Sequence, residues 1–293
     1  MGMLPQLLVN GLVAGSAYSL MAVSFGLIYG STRFFHFAHG AVYTVAAYGA
    51  YYAVVVLRLP LVASAALAIA LAAGVGVLSE VSVYRPLRQR GAGPASLLLA
   101  SLGLFIVLQN SISWLFGDDT KALRTSASES LALFGARITP IQIVIVATSL
   151  VASFAVWIAL RFTATGRAAR AVADDAELCK VVGVNVGQIV VVAFAAGSAL
   201  AGLAAILASL DTDLRPSMGF NALLMGVVAA IVGGVGSIPG ALLGGLLLGM
   251  AQHLGVWKLS TEWQDAIAFC VLILFLVFRP QGFFGLPLRR TAV

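Results

Sequence analysis

The sequence predicts an all-α polytopic membrane protein with about eight or nine transmembrane helices, and three observations carry that reading. Of 293 residues, 61% are hydrophobic and only 10% charged. Mean hydropathy is +1.03, which implies more apolar surface than the core of one soluble domain can hide. The apolar residues also collect into long runs, each near the roughly 20 residues that a spanning helix needs. A soluble enzyme would carry about a quarter of its residues as charge, and a disordered or nucleic-acid-binding chain would show polar or basic tracts. Both classes are excluded.

Nine runs emerge, at roughly 5–29, 38–57, 61–84, 95–116, 140–160, 187–209, 219–233, 238–256 and 265–278. The first is expected to be a true span, not a cleavable signal, because Met1 to Gln6 lacks a basic segment and the apolar run continues for a full membrane thickness. The second begins at the pair His36 and His39. Near the end of the third lies Glu80, within reach of Arg85 or Arg88, which reads as an interfacial ion pair. Gln109, Asn110 and Ser111 in the fourth run, like Asn10 and Asn221 elsewhere, read as interhelical hydrogen-bonding groups. The stretch 219–256 is interrupted by Gly233, Gly234, Gly236, Pro239 and Gly240, so it forms either two short spans or a hairpin that dips in and returns. Glycines four apart recur at Gly11/Gly15, Gly26/Gly30, Gly240/Gly244 and Gly245/Gly249, which predicts a dense bundle with close backbone approach.

Orientation follows from the cations, since Lys and Arg in short loops favour the cytoplasm. One side collects Arg33, Arg85, Arg88, Arg90, Arg161, Arg167, Arg170, Lys180, Arg279, Arg289 and Arg290. The other has Arg58, Lys121, Arg124, Arg137, Arg215 and Lys258, with Asp118, Asp119, Glu129, Asp211, Asp213, Glu262 and Asp265. The first side is assigned to the cytosol, which places the N-terminus outside and the C-terminus inside. Cys179 in a polar connection and Cys270 in a span lie in different phases and are not expected to pair.

The chain reads as a single transmembrane domain, 1–293, with one long cytoplasmic segment at about 161–186. That segment contains Gly166, Arg167, Arg170, Ala171, Asp174, Asp175 and Glu177, is too polar for lipid, and reads as one short helix on the membrane face, stopped at Gly183 and Asn185. It is either a solvated connector or a docking element for a cytosolic partner. His36 and His39 are three apart and could share a helix face, yet no third ligand accompanies them, so a pathway-lining or interfacial role is expected and not a metal site. No Gly-x-x-x-x-Gly-Lys-[Ser/Thr] loop occurs in the sequence.

Gly166-Arg167-x-x-Arg170-Ala171-x-x-x-Asp175, followed by Gly183-x-Asn185, resembles the coupling segment of permease subunits of ABC importers for branched-chain amino acids. Phe37-Ala38-His39-Gly40 with Ala47-Tyr48 is similar to that family's Asn-Phe-Ala-His-Gly signature, with His36 in the place of the Asn. Arg85-Pro86-Leu87-Arg88 is similar to its loop before the fourth span, Gly233-Gly234-Val235-Gly236-Ser237-Ile238-Pro239-Gly240 to its glycine-rich break, and Arg279-Pro280-Gln281-Gly282 to its C-terminal boundary. The first signature is nearer the LivH-type subunit than the LivM-type. The resemblance implies a non-enzymatic chain in the bacterial inner membrane that moves hydrophobic amino acids inward by alternating access. It implies as partners a LivM-type second permease, two cytoplasmic ATPases that hold the ATP and Mg, a periplasmic binding protein and membrane lipid, but no nucleic acid. The translocation path is expected at the broken span starts, His36, Ala38, His39 and Gly40, and at Gly233, Gly234, Gly236 and Gly240, because irregular backbone at membrane depth lines cavities or is buried in protein; the alternative is that both breaks are loops at the cytoplasmic surface. A urea or short-amide permease, or an ion-coupled carrier, is the alternative, although Glu80 is the one acid embedded in a span.

Overall fold

The computed structural model describes residues 3–123, 130–133 and 135–285. The side assignments of Arg124, Glu129, Arg289 and Arg290 and the reading of Met1 lie outside the described residues. All nine apolar runs are helical. The helices are α1 Met3–Thr32, α2 Ala38–Tyr51, α3 Leu61–Ser79, α4 Arg85–Gln89, α5 Pro94–Phe116, α6 Pro140–Phe162, α7 Ala164–Asp174, α8 Ala176–Val181, α9 Val186–Asp211, α10 Met218–Gly233, α11 Ile238–Gly255 and α12 Gln264–Phe278. A small antiparallel hairpin, β1 Leu131–Leu133 with β2 Ala136–Ile138, precedes α6. Among the described residues, seven helices are long and apolar enough to cross a membrane, and α10 is a shorter apolar one.

Contacts between connections sort them to two ends of the bundle. At one end Arg33 donates to the carbonyl of Ala173, and the amides of Phe283 and Phe284 donate to Val232 and Gly233 at 3.0 Å. This gathers the end of α1, α7, the α10–α11 turn and the 279–285 tail. At the other end Gln6 and Arg137 exchange hydrogen bonds of 3.0 and 2.8 Å, and Lys121 and Leu214 pair through their backbones at 3.0 and 2.7 Å. Arg33 and the 279–285 tail thus share one end, and Lys121 and Arg137 the other, as the sequence sorted them.

The core forms around α1, whose most apolar window is 72% buried against 6% for the α12 span. Lipid offers helices no hydrophobic reason to associate, so contact must come from small residues that let backbones touch. Two of the four-apart glycine pairs do this together. A Cβ on Gly15 would sit 2.8 Å from Leu246 Cα, and one on Gly11 3.1 Å from Met250 Cα, while Gly245 and Gly249 of α11 abut Ser19, Gly15 and Gly11 in return. Ser19 donates across the seam to Leu242 O at 2.8 Å. Gly240 and Gly244 seat the start of α11 against Gly233 and Ala229 of α10. Gly26 and Gly30 differ: nothing lies within 4 Å of a Cβ at either.

Two helices depart from regular α geometry. Residues 52–56 and 80–84 form π turns that continue α2 and α3. The second corrects the expectation of a loop at Arg85–Arg88, because these residues prolong the third span to Gln89. A proline removes one helical donor and crowds the preceding turn, and the wider turn gives Pro86 room. The same turn brings Glu80 and Tyr84 both to full burial.

Candidate functional site

The 161–186 segment protrudes from the basic end, and its construction is written in its caps. Thr163 starts α7, its Oγ1 accepting from Gly166 N at 3.0 Å. Gly166 is buried so closely on α6 that any Cβ would meet the backbone of Ala159 and Leu160. Its replacement by Val is expected to lift α7 off α6 and destabilise the detergent-solubilised protein by about 1–3 kcal/mol, with insertion intact; an unchanged melting temperature for Gly166→Val would show that this contact is dispensable. The segment is two helices, which corrects the single helix expected from composition. The break falls at Asp175, whose carboxylate accepts from Leu178 N at 2.9 Å and so caps α8, leaving Ala171 O to receive the amide of Asp175 at 2.9 Å. Glu177 accepts from Lys180 Nζ at 2.7 Å. Gly183, at φ +85, reverses the chain in a left-handed conformation, and Asn185 caps α9 through Gln188 N at 3.1 Å. Arg167 donates to Phe162 O at 3.0 Å, whereas Arg170 and Asp174 are exposed. Charge reading missed the apolar feature here: Leu178, Val181 and Val182 are 59%, 82% and 68% exposed. Their i, i+3, i+4 spacing within a polar segment was the available signal. Cys179, expected in a polar connection, is buried on the opposite side of α8, and both cysteines are free.

The residues expected along a path fall at three places in the bundle. Residues 33–37 run back into the bundle from the end of α1, where Arg33 takes φ 56 to end the helix. Their irregular backbone is satisfied by Ser101, which receives Phe37 N at 3.1 Å and donates to Phe35 O at 3.2 Å. His36 thus precedes α2 and shares no helix face with His39, contrary to the spacing argument. Both rings are fully buried. His39 Nε2 lies 2.9 Å from Ser24 Oγ and His36 Nδ1 3.0 Å from Tyr84 Oη, with Phe194 5.1 Å from His36 between ring centres. Ser24 is eight residues before the end of α1, roughly 12 Å along its axis, so this is a sealed polar cluster inside the bundle. Below it, buried Glu80 pairs with Arg88, as expected from sequence. Tyr84→Phe is expected to destabilise the detergent-solubilised protein by about 1–3 kcal/mol, because a buried imidazole nitrogen loses its partner. An unchanged melting temperature would contradict this bond.

Ala38 is buried, and a Cβ on Gly40 would lie 2.6 Å from Gly219 O, where the starts of α2 and α10 cross. Gly233 and Gly240 form the tight base of the α10–α11 hairpin. Gly234, at φ +102, lies under the 282–285 turn. Gly236 alone of the expected path residues borders a cavity of about 350 Å³ between α1, α6, α7 and α9. That cavity also borders Gly166 and Arg170 of the protruding segment.

Known proteins resemble this chain in fold and in sequence. The fold is similar to PsaBC from Streptococcus pneumoniae in complex with Fab, with a TM-score of 0.53 at 13% identity, covering 96% of this chain and 93% of that one. In sequence, the chain is 36% identical over 296 residues to the high-affinity branched-chain amino acid transport system permease protein BraD of Pseudomonas aeruginosa, covering 96% of each. It is 34% identical over 296 residues to the permease protein LivH of Escherichia coli K12, again covering 96% of each. Residues 7–276 match the family described as branched-chain amino acid transport system, permease component, and the chain belongs to that family.

Proposed function

We propose that this chain is the membrane-spanning permease subunit of an ABC importer that carries branched-chain amino acids into the bacterial cytoplasm by alternating access. ATP and Mg bind to two separate ATPase subunits, a LivM-type permease pairs with this one, and a periplasmic protein delivers the substrate. The observation that carries the reading is the α7–α8 element. It stands out from the basic end of the bundle, is rooted on α6 through Gly166, and presents Leu178, Val181 and Val182 to solvent beside Asp174, Asp175 and Glu177. Three exposed apolar side chains on a polar helix, ringed by charge, suit the groove of a partner protein. A push on this element reaches the bundle through Gly166 and through Arg33, which holds Ala173 to the end of α1.

Expressed with its partner subunits in cells lacking high-affinity leucine uptake, the chain is expected to restore accumulation of labelled leucine. Restored urea accumulation without leucine would assign the system to short amides instead. The proposed orientation puts α8 in the cytosol and the 256–263 turn outside. In intact cells an impermeant thiol reagent is therefore expected to modify Ser260→Cys and spare Glu177→Cys; the reverse pattern would invert the topology.

A further inference from the structure

We propose that the cavity between α1, α6, α7 and α9 is a binding site for an anionic phospholipid, with one acyl chain in the cavity and the phosphate at its arginine-rich mouth. Gly11/Gly15, Gly240/Gly244 and Gly245/Gly249 are spent on helix contact, but a Cβ on Gly26 or Gly30 meets nothing within 4 Å. These two glycines form one wall of the roughly 350 Å³ space, opposite Leu160, Ala169 and Val192. Its lining is apolar except near the end where Ser31, Thr163, Thr165 and Arg170 border it. Such a slot suits a hydrocarbon chain with a polar terminus, and it opens at the bundle end where the membrane's headgroups lie under the topology given above.

Charge selects the headgroup. Arg170 borders the cavity, Arg33 is tied to the carbonyl of its lining residue Ala173, and Arg167 is tied to Phe162 O one turn from Gly166. Arg161 lies 5.3 Å over the ring of Trp157 on α6, an aromatic–cation pair of the kind that settles at the headgroup level. None of these four arginines has a carboxylate partner among the described residues. Asp174 and Asp175 follow Ala173 directly and are exposed to solvent. A basic pocket between spans at headgroup depth favours a phosphodiester with net negative charge over a zwitterionic lipid.

The inference does not depend on the transport reading, because its test uses neither nucleotide nor partner subunits. The full chain, with Trp114, Trp257 and Trp263 replaced by Phe, retains as its single tryptophan Trp157, the neighbour on α6 of the lining residue Val156. It is reconstituted into phosphatidylcholine vesicles containing either brominated phosphatidylglycerol or brominated phosphatidylcholine at equal mole fraction, and Trp157 quenching is measured. Quenching at low mole fraction is expected to favour the anionic lipid at least ~3-fold. Arg170→Gln and the double change Gly26→Leu with Gly30→Leu are each expected to abolish that preference, the first by removing the headgroup partner and the second by filling the slot. Equal quenching by both lipids overturns the proposal and leaves the cavity to ordinary surrounding lipid or a partner chain. A preference that survives Arg170→Gln overturns it as well, by placing the headgroup elsewhere. Should the double glycine variant fail to insert, Arg170→Gln decides alone.

Discussion

Gly15→Leu and Gly245→Leu are each expected to remove the folded chain from the membrane, with yield falling at least ~10-fold, while Gly26→Leu leaves yield near normal. The contrast follows from what each side chain would meet. At Gly15 the first added atom lies 2.8 Å from the Cα of Leu246, and at Gly245 it falls 2.6 Å from the Cα of Ser19. Those are backbone atoms of a facing helix and cannot swing aside as a flexible side chain would. The helices must separate, which also breaks the bond from Ser19 to Leu242 O. Overpacking in a relaxed core costs about 1–3 kcal/mol; with backbone on both sides, on the order of 3–5 kcal/mol is expected, a large part of a typical protein's total stability. At Gly26 the same atom enters the cavity. Equal yields for the three variants in membranes of the same cells would show that the α1–α11 seam does not hold the bundle.

The second large effect is expected at the tip of the protruding element. Leu178→Asp with Val181→Asp places two charges where the proposed ATPase interface needs apolar anchors. Anchors of this kind carry about 1–2 kcal/mol each, so binding of the ATPase subunits is expected to weaken at least ~30-fold and uptake to fall with it. Both side chains are exposed in the chain alone, so its own fold has nothing to lose. Membrane insertion and melting temperature therefore remain near normal. Unchanged ATPase binding by the double variant would return α7 and α8 to the role of a solvated connector.

The spans were legible because each records its solvent directly: a run of apolar residues from 140 to 160 has one stable place, and its charged neighbours Arg137 and Arg161 mark where it stops. The sorting of cations to two ends was legible for the same reason, in the separation of Arg33 and Arg170 from Lys121 and Arg137. Tertiary partners were not. Gly11/Gly15 and Gly26/Gly30 have the same spacing on one helix, yet the first pair meets α11 and the second faces open space, since spacing states what a face permits and not what arrives there. The histidines show a different limit. Their three-residue spacing suggested a shared helical face, but the chain enters α2 only after His36, held by hydrogen bonds between Phe37 N, Phe35 O and the hydroxyl of Ser101, 64 and 66 residues away in sequence. Asp175 illustrates the competition between charge and backbone: in sequence it is one acid in an acidic run, and in the fold it is the cap that divides α7 from α8. The exposed apolar residues of α8 were visible in their spacing and hidden by attention to the charges around them.

The most direct measurement of the central claim is leucine uptake into proteoliposomes holding this chain under three conditions: alone with an imposed proton or sodium gradient, with its partner permease and ATPases without ATP, and with the full assembly, binding protein and ATP. The account predicts accumulation against a gradient in the third condition only, and its loss when the ATPases are poisoned. Accumulation by the chain alone on an ion gradient would contradict it and make this protein a secondary carrier.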